Sequence, residues 1–232
     1  MQIHGLQKLT LLDFPGHIAC TVFTGGCNFR CPFCHNGGLV LEPEKAPVIP
    51  EEEFFTFLES RKGRLEGVAV TGGEPTVNRD LPDFLRRIKS MGFAVKLDSN
   101  GQNPDMLEAI LKEGLADYVA MDIKNARERY GETIGIPGFR TDRVERSVRL
   151  LMESGIDYEF RTTLSDEFHD DAAVESIGKW IAGCRAYYLQ SYRDSEQVMV
   201  PGRFHAPSAE TLERFLGILR PYIPSVAIRG RD

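Results

Sequence analysis

The chain has 232 residues, 42% hydrophobic and 27% charged, a globular composition that excludes a wholly disordered or collagen-like polymer. Its formal charge is -6, with acids and bases interleaved, which argues against a phosphate-neutralising nucleic-acid binder. No apolar run approaches the ~20 residues of a membrane span, and the polar start Met1–Gly5 lacks a signal-peptide core, so a cytoplasmic protein is expected.

Taken in chain order, the first expected strand is His17–Thr24. A long Gly- and Cys-rich loop follows to about Pro47. Pro50 and the acids Glu51, Glu52 and Glu53 open a helix whose buried stripe is Phe54, Phe57 and Leu58. A second strand reads Gly67–Thr71, and Leu81, Phe84, Leu85, Ile88 and Met91 recur at helical spacing behind it. The third strand is Phe93–Leu97, followed by a helix capped at Asn103-Pro104. The fourth is Asp117–Met121, then a less regular segment and a helix over 142–154. The fifth is Asp157–Thr163, with a helix over 171–182. The sixth is Ala186–Gln190, and the tail adds a helix over 208–219 and a short apolar end, 225–228. The arginine-rich runs 61–64 and 140–149 read as solvated helix faces.

Strand–helix alternation at this spacing predicts parallel strands joined by right-handed crossovers. Six units are fewer than the eight of a closed barrel, so a partial, TIM-like (β/α)6 barrel is expected, with a doubly wound sheet as the alternative. No linker or repeat divides the chain. One domain over 1–232 is expected, with a barrel core over about 17–192 and a C-terminal helix and extension over 193–232.

Each expected strand ends on polar or small residues: Thr24-Gly25-Gly26, Thr71-Gly72-Gly73-Glu74-Pro75, Asp98-Ser99-Asn100-Gly101, Asp122-Ile123-Lys124, Arg161-Thr162-Thr163 and Gln190-Ser191. In parallel α/β folds those ends share one rim, where ligands bind. Ordinary turn chemistry accounts for any single ending. Six together describe a polar site of cofactor size.

The chain has five cysteines, three of them within eight residues: Cys27, Cys31 and Cys34. With no export signal, reduced metal-binding or catalytic thiols are expected rather than disulfides. Cys20 and Cys184 read as buried core thiols. Two metal readings follow. Zinc needs four closed ligands, for which His35 is a candidate fourth. A [4Fe–4S] cluster held by three thiolates would leave one iron open to a cofactor or substrate.

Cys27-x₃-Cys31-x₂-Cys34 with Phe33 before the last cysteine, followed by Gly72-Gly73-Glu74-Pro75, resembles the radical S-adenosylmethionine superfamily. Asp13-Phe14-Pro15-Gly16, Cys34-His35-Asn36, Asp98-Ser99-Asn100-Gly101 and Asp122-Ile123-Lys124 narrow the resemblance to activating enzymes of glycyl-radical enzymes. The string Phe23–Asn36, with Val95–Asp98 and Tyr158–Thr163, is most similar to anaerobic ribonucleoside-triphosphate reductase activating proteins. The likeness runs from about Leu6 to Tyr192, and the last forty residues add little.

The resemblance implies that Cys27, Cys31 and Cys34 each bind one iron of a [4Fe–4S] cluster. S-adenosylmethionine chelates the fourth iron and is cleaved to methionine and a 5′-deoxyadenosyl radical. It places Phe33 near the adenine, Gly72 and Gly73 against the methionine moiety, and Glu74 at its ammonium. Asp98, Ser99 and Asp122 match positions that contact the cofactor or a monovalent cation, and Lys124 and Arg161 match basic positions near its carboxylate. His35 is a candidate contact to the cluster region or adenosine, with a structural hydrogen bond as the alternative; beyond the cofactors no catalytic side chain is implied. His169 and His205 read as surface residues. The implied substrate is a glycine of a partner reductase, with flavodoxin or ferredoxin as electron donor and neither nucleic acid nor membrane as partner. The alternatives are an activase of another glycyl-radical enzyme, a small-molecule enzyme such as a 7-carboxy-7-deazaguanine synthase, and a non-catalytic zinc-binding module.

Overall fold

The computed structural model describes residues 1–230. Strands β1 (Ile3–Thr10), β2 (Ala19–Thr24), β3 (Gly67–Gly72), β4 (Ala94–Ser99), β5 (Tyr118–Asp122), β6 (Asp157–Leu164), β7 (Tyr187–Ser191) and β8 (Val226–Arg229) form one sheet in that spatial order. β1 runs antiparallel to β2, and every later neighbour is parallel. Among the described residues β8 and β1 remain edges, so the barrel is partial. Spatial order that follows chain order without reversal excludes the doubly wound alternative.

The six expected strands are β2–β7. The apolar end 225–228 adds β8 as a further parallel strand, and β1 is an addition that the sequence pattern did not reveal. Helices α2 (Glu51–Glu59), α3 (Leu81–Ser90), α4 (Pro104–Lys112), α6 (Asp142–Glu153), α7 (Asp171–Trp180) and α8 (Ala209–Leu219) make the crossovers. Short helices α1 (Gly37–Leu41) and α5 (Tyr130–Thr133) sit in the two loops expected to be irregular. No described helix is long and apolar enough to cross a membrane.

The two-residue period of a strand sorts its side chains between two faces. Val95 and Leu97 of β4 are fully buried in the apolar core, as are Val68 and Val70 of β3. Lys96 and Asp98 share the opposite face of β4 and pair with each other. Arg161 of β6 reaches across to Asp98 and to Asp122 of β5. The inner face is therefore polar, and its charges neutralise one another. Further down, Glu159 of β6 is fully buried, accepts the Tyr118 hydroxyl at 2.7 Å and forms a bidentate pair with Arg229 of β8 at 2.6 and 2.8 Å. That pair ties the edge strand to the sheet.

The Asp13–Gly16 turn lies at the opposite end from the strand C-termini. Asp13 accepts the Thr21 hydroxyl, and the Phe14 ring packs against Gly67, the first residue of β3, and Tyr118. This motif plugs the barrel floor. Of the arginine-rich runs, 140–149 behaves as expected: Arg143 and Arg146 of α6 pair with Asp105, and Arg146 also with Glu108, across the exposed α4–α6 seam. Arg61–Arg64 lies instead in the turn after α2, with Arg61 over the Phe57 ring at 5.3 Å.

Candidate active site

The loop after β2 is held from several sides by backbone hydrogen bonds. Gly26 N–H donates to Leu39 O (2.8 Å) and Arg30 N–H to Ile134 O (2.9 Å). From the C-terminal segment, Met199 N–H donates to Cys34 O and Val200 N–H to Pro32 O, each at 3.0 Å. The aromatic residues of the loop are its anchors. Phe29 packs edge-on against Phe139 (5.4 Å between centroids), and Phe33 packs against Phe168 (5.5 Å) and Phe204 (6.1 Å). Each buried Phe stabilises its attachment by about 1.5–3 kcal/mol. Between these anchors Cys27, Cys31 and Cys34 border one cavity of about 240 Å³.

The same cavity is bordered by the ends of β3 to β7: Gly72, Gly73 and Glu74; Asp98 and Ser99; Asp122 and Lys124; Arg161; and Gln190. Phe33 and His35 border it too. Every residue singled out from the sequence as a site candidate thus meets at one place. The local reasons differ from expectation at several positions. Gly72 has φ 117°, and a Cβ there would stand 2.3 Å from Thr24 N; at Gly73 a Cβ would stand 2.0 Å from Gly26 O. Gly72 admits the backbone end of β2, and Gly73 that of the cysteine loop itself. Glu74 is buried, and its carboxylate accepts from Thr76 N–H (3.2 Å), the Thr76 hydroxyl, Ser99 Oγ (2.9 Å) and Asn100 N–H (2.6 Å). It cross-links the ends of β3 and β4. Phe33 has its ring committed to the core aromatics, and His35 Nε2 bonds Arg193 O at 2.6 Å.

His169 corrects the surface reading. It is 3% exposed, its Nε2 lies 3.0 Å from Lys124 O, and burial pushes its pKa down to about 4. It braces the backbone of the residue that carries the site's ammonium group. His205 is exposed and pairs with Glu167. Cys20 and Cys184 are buried core thiols. Asn36 and Asn100 are among the lining residues that were not site candidates. Asn36 donates its amide to Gly72 O at 2.6 Å, and Asn100 lies beside Cys27. Both lie within quoted motifs, Cys34-His35-Asn36 and Asp98-Ser99-Asn100-Gly101, but their partners, a backbone carbonyl and a sulfur across the fold, are not legible from sequence.

Electrostatics sets the site's charge. Burial opposes ionisation of Asp122, but Lys124 (2.9 Å) and Arg161 (3.1 Å) overcome it and hold the carboxyl at about 2. Burial likewise opposes ionisation of Asp98, and Arg161 with Lys96 overcomes it, so its pKa is lowered. Both groups are thus ionised when folded. Below the ordinary carboxylate value of ~3.9 an unfolded chain takes up protons that the folded chain refuses. The stability these two groups contribute is complete above that value and is lost as pH falls toward 2. Urea midpoints of the metal-free chain are expected to drop between about pH 4 and 2. Asp98→Asn should flatten part of that drop and cost about 3 kcal/mol at neutral pH, because it leaves Lys96, 2% exposed, without its counter-charge. A midpoint unchanged at pH 7 would contradict this.

Burial pushes the Cys27 thiol up to about 11 and the Cys31 thiol up to about 12, so metal must displace their protons. The donor set separates the two metal readings. A single zinc ion needs four donors at ~2.0–2.3 Å. The candidate fourth donor, His35, has its Nε2 engaged by Arg193 O at 2.6 Å. Three thiols around one cavity, each facing it from its own place in the loop, suit a cluster whose irons take one sulfur ligand apiece.

A parallel strand set that presents three thiols and a polar cradle at its C-terminal rim defines a cluster-binding α/β enzyme. The model of the Radical SAM superfamily matches residues 21–177, and the chain belongs to that superfamily. Its members use a [4Fe–4S] cluster and S-adenosylmethionine. The chain is 29% identical over 239 residues to a Methanocaldococcus jannaschii protein provisionally named a glycyl-radical enzyme activating enzyme, covering 98% of this chain and 95% of that one. A pyruvate formate-lyase-activating enzyme from Clostridium pasteurianum is 33% identical over 132 residues, 53% of this chain and 52% of that one. A Saccharolobus solfataricus protein provisionally named a GTP 3′,8-cyclase is 30% identical over 135 residues, 57% of this chain and 42% of that one. A radical SAM methyltransferase from Sphaerobacter thermophilus shares the fold, with a TM-score of 0.73 at 20% identity over 94% of this chain and 68% of that one.

Proposed function

We propose that this enzyme activates a glycyl-radical enzyme, by removing a hydrogen from a glycine of anaerobic ribonucleoside-triphosphate reductase. The observation that carries the reading is the end-to-end match to the Methanocaldococcus jannaschii protein, 98% of this chain against 95% of that one. The cyclase match stops at 57% of this chain. The particular reductase comes from the motifs Phe23–Asn36 and Tyr158–Thr163.

In this reading Cys27, Cys31 and Cys34 would each hold one iron of the cluster and leave the fourth open to S-adenosylmethionine. When bound, the pair supplies a one-electron cleavage and a hydrogen-abstracting carbon radical. The chain's own residues bind, orient and exclude water. The Gly72-Gly73-Glu74 end of β3 forms the wall beside the methionine moiety. Lys124 and Arg161 present positive charge to its carboxylate, while Asp98 and Asp122 keep those cations in place and Ser99 holds the Glu74 carboxylate beside them. A monovalent cation at Asp98 and Asp122 would compete with Lys96, Lys124 and Arg161 for the same oxygens. Phe33 and His35 complete the wall on the loop side. Flavodoxin or ferredoxin is the proposed electron donor.

The test is anaerobic mixing with the reductase, S-adenosylmethionine and a reductant. A doublet EPR signal on the reductase, growing in step with 5′-deoxyadenosine, is expected. Sustained deoxyadenosine production on GTP or another small molecule, with no protein radical, would overturn the reading. Lys124→Ala tests the cradle separately. One charge-assisted hydrogen bond contributes about 1.5–3 kcal/mol, so S-adenosylmethionine should bind roughly 10–100-fold more weakly, with iron content retained. Unchanged affinity by equilibrium dialysis would remove Lys124 from the cradle.

A further inference from the structure

We infer that Asn100 sets the electron affinity of the cluster by donating a side-chain N–H to the sulfur of Cys27, an inference that rests on Cys27 being an iron ligand. Asn100 follows β4 and is 5% exposed. Its backbone N–H is fixed by the buried Glu74 carboxylate at 2.6 Å. Its side-chain orientation is fixed as well. Oδ1 accepts the N–H of Gln102 at 3.0 Å, which turns the amide nitrogen toward the cysteine loop. That nitrogen donates to Asn28 Oδ1 at 2.7 Å and lies 3.8 Å from Cys27 Sγ. A primary amide carries two protons, so serving Asn28 leaves one for the sulfur.

Cys27 Sγ also accepts the backbone N–H of Phe29 at 3.3 Å. Among the described residues no N–H is directed at the sulfurs of Cys31 or Cys34. Donors are therefore concentrated at one corner of the site. A hydrogen bond to a thiolate ligand withdraws electron density from the metal and favours the more electron-rich, reduced state. Phe29 supplies this from the main chain, which substitution leaves in place. Asn100 supplies the adjustable part, from a strand end 73 residues away in sequence.

The experiment is an EPR-monitored redox titration of the reconstituted 232-residue chain without S-adenosylmethionine, comparing wild type with Asn100→Ala and Asn100→Asp. At the wild-type midpoint, the ratio of reduced to oxidised cluster should fall about tenfold in Asn100→Ala, which is about 59 mV for a one-electron couple. Asn100→Asp keeps the acceptor for Gln102 but replaces the donor by a carboxylate oxygen, and should fall at least as far. An unchanged or raised midpoint in Asn100→Ala would overturn the inference. If Asn100→Ala does not hold a cluster, the isosteric Asn100→Asp decides by the same criterion. Loss of the cluster or the fold in both variants would also overturn it, because Asn100 would then be a structural brace. Wild type without iron, or Cys27→Ala with full iron, would defeat the site assignment itself; a loaded wild type with unmoved variants defeats the Asn100 role alone.

Discussion

Cys31→Ala is expected to lower bound iron from about four per chain to below about one after anaerobic reconstitution, and to abolish cleavage of S-adenosylmethionine. Cys31 is the most enclosed of the three loop thiols, 7% exposed, and burial keeps it protonated until metal binds. Alanine leaves no donor in its place. Cys20 and Cys184 cannot substitute, because both are packed into the apolar core. Phe29, Phe33 and the backbone bonds from Met199 and Val200 still hold the loop, so the metal-free variant should unfold within about 1 kcal/mol of wild type. Iron analysis with parallel urea unfolding reads both quantities. A variant that keeps full iron and activity would show that the ligands are wrongly assigned.

Gly73→Ala is expected to cost about 2–4 kcal/mol and to impair cluster loading, though no ligand is removed. The new methyl would stand 2.0 Å from Gly26 O and 2.8 Å from Gly26 C. Both are backbone atoms and cannot rotate away. The same contact zone carries Gly73 N–H to Thr24 O (2.9 Å) and Glu74 N–H to Gly26 O (2.8 Å), so relief requires the β3 end and the cysteine loop to part. Cys27 follows Gly26 directly and moves with it. A wild-type urea midpoint and normal iron content would show that the loop yields without consequence. The residue type at position 73 is therefore dictated by loop-to-strand packing, a cause that precedes any contact with a cofactor.

The strand ends and the cysteine loop were readable because their signals are local. A run such as Val68-Ala69-Val70 followed by Thr71-Gly72-Gly73 marks both a buried strand and its polar terminus, and parallel topology then places the termini together. β1 escaped because its pattern is mixed: Gln7, Lys8 and Leu9 are exposed on an edge strand, and irregularities interrupt its register with β2. The segment 193–205 escaped for another reason. It holds the cysteine loop through main-chain bonds from Met199 and Val200, through the Phe204 ring, and through Arg193 O, which takes the His35 ring. Main-chain donors leave no mark in side-chain type. A part of the last forty residues, which add little to the motif pattern, thus clamps the site. His169 was misread because a lone histidine in a polar stretch says nothing of burial; only the fold brings it under Lys124.

The most direct measurement is low-temperature EPR of the anaerobically reconstituted, reduced protein before and after addition of S-adenosylmethionine, with iron, sulfide and zinc determined on the same sample. The expected result is about four irons and four sulfides per chain, and a reduced-cluster signal whose g values shift when S-adenosylmethionine occupies the iron that no cysteine holds. A signal indifferent to S-adenosylmethionine, or zinc without acid-labile sulfide, would contradict a three-thiol cluster with one open iron.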